Sequence, residues 1–269
     1  MGTASFREYS GPAAQLYQDF FVPSIATPAS GELLRVADLQ PGERVVDVAC
    51  GTGVIARAAA EVVGPNGAVA GVDVAPDMLA VAAAVPATGA EIEWTEGDAV
   101  SVPLPDASCD VALSQMGIMF VGDKAAAASE LHRVLAPAGR VVANTPGRIS
   151  PVLEAMRDAI ADNVDPNLGA FVDVVFSMPD PEILVRLLVD AGFEDVVGEE
   201  YSASLDLPAP AEMLWSYINL TPLGSFVGSA SEEAKDAMER QFVEACATHV
   251  VDGRLPVDQP MALAHAVRA

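Results

Sequence analysis

The sequence is short of cations. Fourteen Lys and Arg stand against 38 Asp and Glu, a formal net charge of −24. Nucleic-acid binding leans on Lys and Arg that displace counterions from phosphates. The sequence holds no basic run, so neither a nucleic-acid partner nor an anionic membrane surface is expected. Cysteine is scarce as well: Cys50, Cys109 and Cys246 are too few and too scattered for a disulfide framework or a zinc site, no metal is expected, and the three suit a reducing compartment. No run of about 18 uncharged apolar residues is present, so no membrane span is expected. The opening MGTASFREYSG lacks a basic region followed by an apolar stretch and does not read as a signal peptide. The expectation is a cytoplasmic protein, monomer or homodimer. Aromatics are only 6% of residues, yet 51% are hydrophobic, mostly Ala and Val. A chain of 269 residues with that content can build one large α/β domain with a substantial cap.

What is present is an alternation. Apolar, β-branched runs predict strands at Arg44–Ala49, Ala68–Val74, Glu91–Glu96, Cys109–Ser114 and Arg140–Asn144. Helices are predicted at Val54–Val63, from Pro76 (a first-turn proline) onward, and at Asp123–Leu135, the last ended by APAG. Strands separated by helices imply parallel pairing with right-handed crossovers. Beyond Thr145 the pattern loosens. Helices are expected at Pro151–Asn163, Glu182–Ala191, Ala211–Leu220 and Glu232–Val250, with Ser229 and Glu232 in capping-box spacing for the last. Asp165–Pro181 reads as a loop, Phe193–Leu207 as an edge strand and Met261–Arg268 as a final strand.

The stretch VVDVACGTGVIA carries the first chemistry. Gly51, Gly53 and Ala56 fit G-x-G-x-x-[GA] after a strand and at the start of a helix. Ligands of open α/β sheets sit at the carboxyl ends of the strands, where small residues admit them and a helix N-terminus offers free N–H groups. That suits a dinucleotide or S-adenosylmethionine. Asp47 discriminates: a carboxylate repels a pyrophosphate but attracts an ammonium or a sulfonium, and S-adenosylmethionine carries both cations and no phosphate. Asp47 as a simple cap on a loop amide is the alternative. Asp73, 22 residues after Gly51, suits an acceptor of both ribose hydroxyls, or an N-cap before Pro76. Asp98 follows the third strand and suits the adenine amino group, or a turn. Met78 and Ala99 suit the faces of the adenine ring, or core packing.

VVDVACGTG, GVDVAPDML, EGDA…LPDASCDVALSQ and ELHRVLAPAGRVV occur in order over roughly residues 40 to 145. Together they closely resemble the class I S-adenosylmethionine-dependent methyltransferases, in the small-molecule branch of ubiquinone- and menaquinone-biosynthesis-type enzymes. The resemblance implies a doubly wound, Rossmann-like α/β fold: a seven-stranded mixed sheet with an antiparallel last strand, plus a mostly helical cap. It divides the chain into a helical lid over residues 1–35, a cofactor-binding core over 36–148, a cap insertion over 149–180, and the rest of the core over 181–269 with a second insertion around 210–250. Carried over by motif, Asp47, Ala49, Gly51 and Gly53 line the methionine part of S-adenosylmethionine, Asp73 holds the ribose and Asp98 and Ala99 meet the adenine. Ser114 and Gln115 face the sulfonium and the methyl group. Three positions depart from the usual pattern: Ala49 for the first glycine, Cys109 where Phe is common, and Ala138 for one glycine of a Pro-Gly-Gly turn. None removes a ligand-binding side chain.

The acceptor pocket is expected from three variable pieces. These are the N-terminal segment with Tyr9, Tyr17, Phe20 and Phe21, the stretch from Ile149 to Pro179, and the late insertion with Trp215, Tyr217 and Phe226. Met116, Met119 and Phe120 suit its floor. Tyr17, Phe21, Met116, Met119, Phe120 and Trp215 are therefore the acceptor-pocket candidates, with ordinary cap core as the alternative. They suggest an apolar or aromatic small-molecule methyl acceptor, with O-methylation the expected chemistry. His132 and His265 sit in elements that read as structural, His249 lies near a helix end and reads as a surface residue with a cap-pocket position as the alternative, and no catalytic base is assigned. Two other readings compete. A nicotinamide-dependent oxidoreductase predicts no acid at Asp47 and a Tyr-Lys pair, which neither Lys124 nor Lys235 supplies. A non-catalytic S-adenosylmethionine-binding protein predicts a filled cap pocket.

Overall fold

The structure is a computed structural model and describes residues 12–269. Tyr9 lies outside the described residues.

Seven strands form one sheet in the order β3-β2-β1-β4-β5-β7-β6. The first is β1 (Arg44–Val48), whose RVVDV sequence is buried on both faces after Arg44, as a central parallel strand requires. It pairs in parallel with β2 (Ala68–Asp73) and β4 (Cys109–Gln115). β3 (Ile92–Glu96) and β5 (Leu135–Pro146) extend the parallel set. β7 (Leu255–Val267) inserts antiparallel between β5 and the edge strand β6 (Glu194–Leu207). Because β1 is followed outward by β2 on one side and β4 on the other, the strand order reverses at β1, and a crevice opens over its carboxyl end.

Alternation along the strands builds two layers. Val111 and Leu113 of β4 face α2 (Thr27–Ala37) and α3 (Val54–Val63), packing with Leu33, Ile55 and Ala59. Ala112 faces the other way, into a cluster with Leu131 of α5 (Lys124–Val134) and Leu184 and Leu188 of α8 (Pro181–Asp190). α4 (Pro76–Ala84) begins at its first-turn proline. The ELHRVL helix has a structural task beyond packing. Arg133 bonds Glu130, Asp106 and the carbonyls of Val102 and Leu104, while Glu130 accepts the Val102 N–H. This pins the long connection after β3, and with it Asp98.

Beyond the point where Met261 pairs Pro146, β7 and β6 leave β5 behind. They run on as a two-stranded arm, from Ser202 opposite Pro260 to Leu207 opposite Leu255. One face of this arm (Ala203, Leu205, Leu207, Leu255, Val257) packs under the cap: α6 (Pro151–Asn163), α7 (Pro166–Val175), α9 (Pro210–Asn219), α10 (Leu223–Gly228) and α11 (Glu232–Cys246). At the N-terminal side, α1 (Pro12–Leu16) leads into a π-helical turn, Tyr17–Ala26, which accommodates Pro23, and then into α2.

Four readings of local structure are corrected. Asp165–Pro181 is not a loop: Asp165 accepts the Asn167 N–H as an N-cap, Pro166 opens the first turn, and α7 runs to Val175. Gly169 disguises it, since its bare backbone lets α7 lie against Ala161 of α6, where a Cβ would come within 3.3 Å. α11 is capped by Ser231, which accepts the Ala234 N–H, not by Ser229, whose hydroxyl donates to the Phe226 carbonyl at the end of α10. APAG does not stop a helix before a short strand. β5 already begins at Leu135 and absorbs APAG as a bulge, with Ala138 at φ 63°. β7 begins at Leu255, six residues ahead of the expected Met261.

Candidate functional site

The crevice over β1 is one end of a cavity of 1090 Å³. A single drug-sized ligand occupies a pocket of about 300–1,000 Å³. This volume lies just above that range.

The first half is built at the carboxyl ends of β1, β2 and β3. Ala49, Gly51, Asp73, Met78, Asp98 and Ala99 line it. The β1–α3 loop reaches this position by left-handed backbone at Ala49 (φ 60°), Gly51 (φ 55°) and Gly53 (φ 83°). Gly53 does not touch the cavity. It is glycine because a Cβ there would lie 2.2 Å from the Trp94 ring. Asp73, 9% exposed, ties two loops together: one carboxylate oxygen accepts the Gly51 N–H (2.7 Å) and the other the Ala75 N–H (2.9 Å). The N-cap of α4 is Ala75, without a side-chain cap, so Asp73 ties the two loops rather than capping that helix, and the same carboxylate lines the cavity. Asp98 does the same on a smaller scale, closing a turn onto the Val100 N–H (3.2 Å) while lining the cavity.

Asp47 lies behind the loop rather than in the cavity wall. One oxygen accepts the Ala56 N–H at 3.0 Å, which makes it a cap of the first turn of α3. The other has no partner among the described residues, although the side chain is 1% exposed. Burial pushes this carboxyl up to about 7, with nearby Asp73 adding to the effect. Arg57 and the Ala56 N–H favour its charged form, and a further cation over the loop would favour it more. Burial likewise raises Asp73, against the three backbone N–H groups that favour its charged form.

Ser114 and Gln115 lie outside the cavity wall. Ser114 faces a separate void of 10 Å³ beside Val48 and Ile118. Gln115 donates to the Ala26 carbonyl (2.8 Å) and so anchors the N-terminal turn. That turn is a roof. Tyr17 stacks on Phe21 with ring centroids 4.6 Å apart, and its hydroxyl lies 3.7 Å from where a Gly51 Cβ would be. Burial raises the Tyr17 phenol, with Asp73 and then Tyr217 adding to the effect.

The second half of the cavity is mostly apolar, with Asp123, Lys124, Asp165, Asn167, Thr221 and Gln259 as its polar lining. Tyr17, Phe21, Met116, Met119 and Phe120 line the shared boundary. Met116 sits in left-handed backbone at φ 50°, a costly conformation for its side chain. A short network holds it there: its N–H meets the Asn144 carbonyl and side-chain oxygen, Asn144 donates to Tyr201, and Tyr201 donates to the Ala29 carbonyl. The far wall comes from the β6–β7 arm, through Ala203, Leu205, Leu207, Gln259 and Met261, and from α7, α9 and α10, through Phe171, Tyr217 and Leu223. The sequence reading missed the arm. Its signal was the alternation of SASLDL, buried at every second position.

Trp215 is not in the cavity wall. α9 turns Met213, Leu214, Tyr217 and Ile218 inward and leaves the Trp215 indole to donate to Glu239 of α11. None of the three histidines lines the cavity. His132 stands edge-on to Phe193 at 4.9 Å, and burial lowers it. Among the described residues no cluster of three His, Cys, Asp or Glu side chains is arranged to hold a metal, and no helix is long and apolar enough to cross a membrane.

Comparison with known proteins agrees with this geometry. A family model described as a methyltransferase domain matches residues 45–139, from β1 to the β5 bulge. The ubiquinone/menaquinone biosynthesis C-methyltransferase UbiE of Ectopseudomonas mendocina is 31% identical over 180 residues, covering 61% of this chain and 70% of the relative. Nocamycin O-methyltransferase of Saccharothrix syringae is 28% identical over 253 residues, covering 87% and 89%. Among solved structures, Haemonchus contortus phosphoethanolamine N-methyltransferase 2, in complex with S-adenosyl-L-methionine, superposes with a TM-score of 0.61 at 20% identity, over 99% of this chain and 60% of that one.

Proposed function

The chain belongs to the class I S-adenosylmethionine-dependent methyltransferases, in their ubiquinone- and menaquinone-biosynthesis-like branch, and we propose that it methylates an oxygen of a small apolar or aromatic metabolite. Its cofactor, S-adenosylmethionine, supplies an electrophilic methyl group on a sulfonium.

In this reading Asp73 takes the ribose, Asp98 and Ala99 the adenine with Met78 beneath it, and Ala49 and Gly51 pass close to the methionine part. Asp47 acts from behind the loop as the counter-charge, and Gly53 shapes the backbone. Ser114 and Gln115 support the floor and the roof without touching the ligand. Tyr17 and Phe21 close over the junction and exclude water, which the in-line displacement requires. Proximity and orientation alone can supply on the order of 7–11 kcal/mol toward such a transfer.

The observation that carries the oxygen reading is the acceptor half itself. It is mostly apolar, no histidine lines it, its Asp123 and Asp165 carboxylates are engaged as helix N-caps, and burial pushes its Tyr217 phenol up to about 12, so that group keeps its proton. An acceptor that ionises by itself, a phenol or an enol, needs no base from such a wall. The similarity to nocamycin O-methyltransferase, which spans nearly the whole chain and hence the acceptor half, points the same way.

Calorimetric titration with S-adenosylmethionine, S-adenosylhomocysteine and NAD tests the cofactor. Binding of NAD but neither sulfur nucleoside would sink the reading. Incubation with labelled methyl donor and a panel of phenols and enols, followed by NMR of the product, tests the acceptor atom. A methyl group found on carbon or nitrogen overturns O-methylation and leaves methyl transfer standing.

A further inference from the structure

Away from β1 the cavity carries several polar groups: Asp123 and Asp165 accept the Ala126 and Asn167 N–H groups as N-caps, Lys124 donates to the Val121 carbonyl, and Gln259 keeps one buried acceptor, Oε1, without a partner among the described residues. The Thr221 hydroxyl donates to the Ile218 carbonyl at 2.9 Å. The Gln259 amide donates to the Arg148 and Pro260 carbonyls at 3.0 and 2.8 Å. Both donors are turned into the main chain. Tyr217 differs. It lies on the inward face of α9, is 5% exposed, lines the cavity, and makes no hydrogen bond with any described residue. Its surroundings are otherwise hydrocarbon: Leu205, Leu207, Met213 and Leu223 belong to the same cluster. With no partner among the described residues, the hydroxyl is left for a molecule in the cavity.

Its position matters as much as its chemistry. Tyr17 rests against Gly51 on the cofactor side and lines the same cavity as Tyr217. The helix that leads into Tyr17, α1, packs against α9, so Tyr217 stands on the wall next to the Tyr17 roof.

We propose that Tyr217 donates a hydrogen bond to the reacting oxygen of the acceptor and so selects an acceptor with one ionisable hydroxyl on an apolar frame, a phenol or an enol. The assignment rests on the methyl-transfer reading. A donor aimed at an oxygen favours its ionised form. The acceptor gives its proton to solvent, the oxyanion lone pair forms the new O–C bond, and the electrons of the broken C–S bond remain on sulfur. Tyr217 keeps its own proton throughout.

The test uses S-adenosylhomocysteine-saturated protein, wild type and Y217F, with 4-nitrophenol as the acceptor probe and nitrobenzene as its hydroxyl-free counterpart. Y217F is expected to bind 4-nitrophenol about tenfold more weakly, the scale of one lost hydrogen bond, and nitrobenzene equally well. The absorbance titration of bound 4-nitrophenol is expected to move to higher pH by about one unit in Y217F. Equal 4-nitrophenol affinity and equal titration midpoints in the two proteins overturn the assignment, as does a Y217F protein that has lost affinity for S-adenosylhomocysteine. A wild-type protein that does not bind S-adenosylhomocysteine overturns the methyl-transfer reading itself.

Discussion

Replacing Asp47 with Asn should make the ligand-free protein less sensitive to alkaline pH. The side chain is buried, with one oxygen on the Ala56 N–H and the other without a partner. Its folded carboxyl titrates at about 7, against 3.8 for an unperturbed group. Between those values the folded state holds a proton that the unfolded chain has released. The stability this contributes is complete below the unfolded value and is lost as pH rises through about 7. From pH 5.5 to the midpoint is ~1.5 pH units, so the wild type should lose about 2 kcal/mol relative to D47N between pH 5.5 and pH 8.5. The Asn oxygen still accepts the Ala56 N–H, so capping is preserved at both pH values. Asp73, which burial also raises, is present in both proteins, so the difference between them reports Asp47 together with its coupling to Asp73. Urea unfolding at the two pH values, followed by the fluorescence of Trp94 and Trp215, measures it. Parallel stability profiles for wild type and D47N would refute the reasoning, because they would mean that Asp47 is ionised at little cost.

Three further outcomes are expected. Asp73→Ala should weaken S-adenosylmethionine binding by about 1.5–3 kcal/mol, the range for a hydrogen bond to a charged group; unchanged affinity by calorimetry removes Asp73 from the site. Gly53→Ala should destabilise the protein by about 1–3 kcal/mol through strained backbone and collision with Trp94, and a melting temperature equal to that of wild type contradicts it. Ala203→Trp should fill part of the acceptor half, abolishing methyl transfer while S-adenosylhomocysteine affinity stays within about twofold, since less than ~0.4 kcal/mol separates the two proteins at the cofactor. A parallel loss of cofactor affinity shows that the two halves are not independent.

The parallel core was legible because central buried strands must be continuous apolar runs, and β1, β2 and β4 are such runs. Gly51 and Gly53 marked the loop, and Asp73 and Asp98 followed at the next strand ends. Two kinds of residue misled. Gly169 hid a helix because its packing need outweighed its low helix propensity. Pro256 and Pro260 hid the first half of β7, since proline argues against a central strand; both lie in the arm, where β7 has only one neighbour and proline is tolerated. Trp215 and Tyr217 are two residues apart on one helix, and composition could not say which faces the cavity. α9 decides that by turning Tyr217 inward and leaving Trp215 to Glu239. The unpartnered oxygen of Asp47 was invisible in principle, because it depends on what the fold leaves unpaired.

The arm formed by β6 and β7 bears on how such a protein diversifies. Along the arm every second residue of β6 faces the cavity, at Ala203, Leu205 and Leu207, and the intervening Ser204 and Asp206 face solvent. The residues proposed for the cofactor lie on other elements. A lineage can therefore exchange acceptors by substitutions on one ladder of one hairpin, each a small step in size or polarity. The strand pairing that holds the arm uses main-chain groups, so it survives those changes, and the donor site never has to be rebuilt.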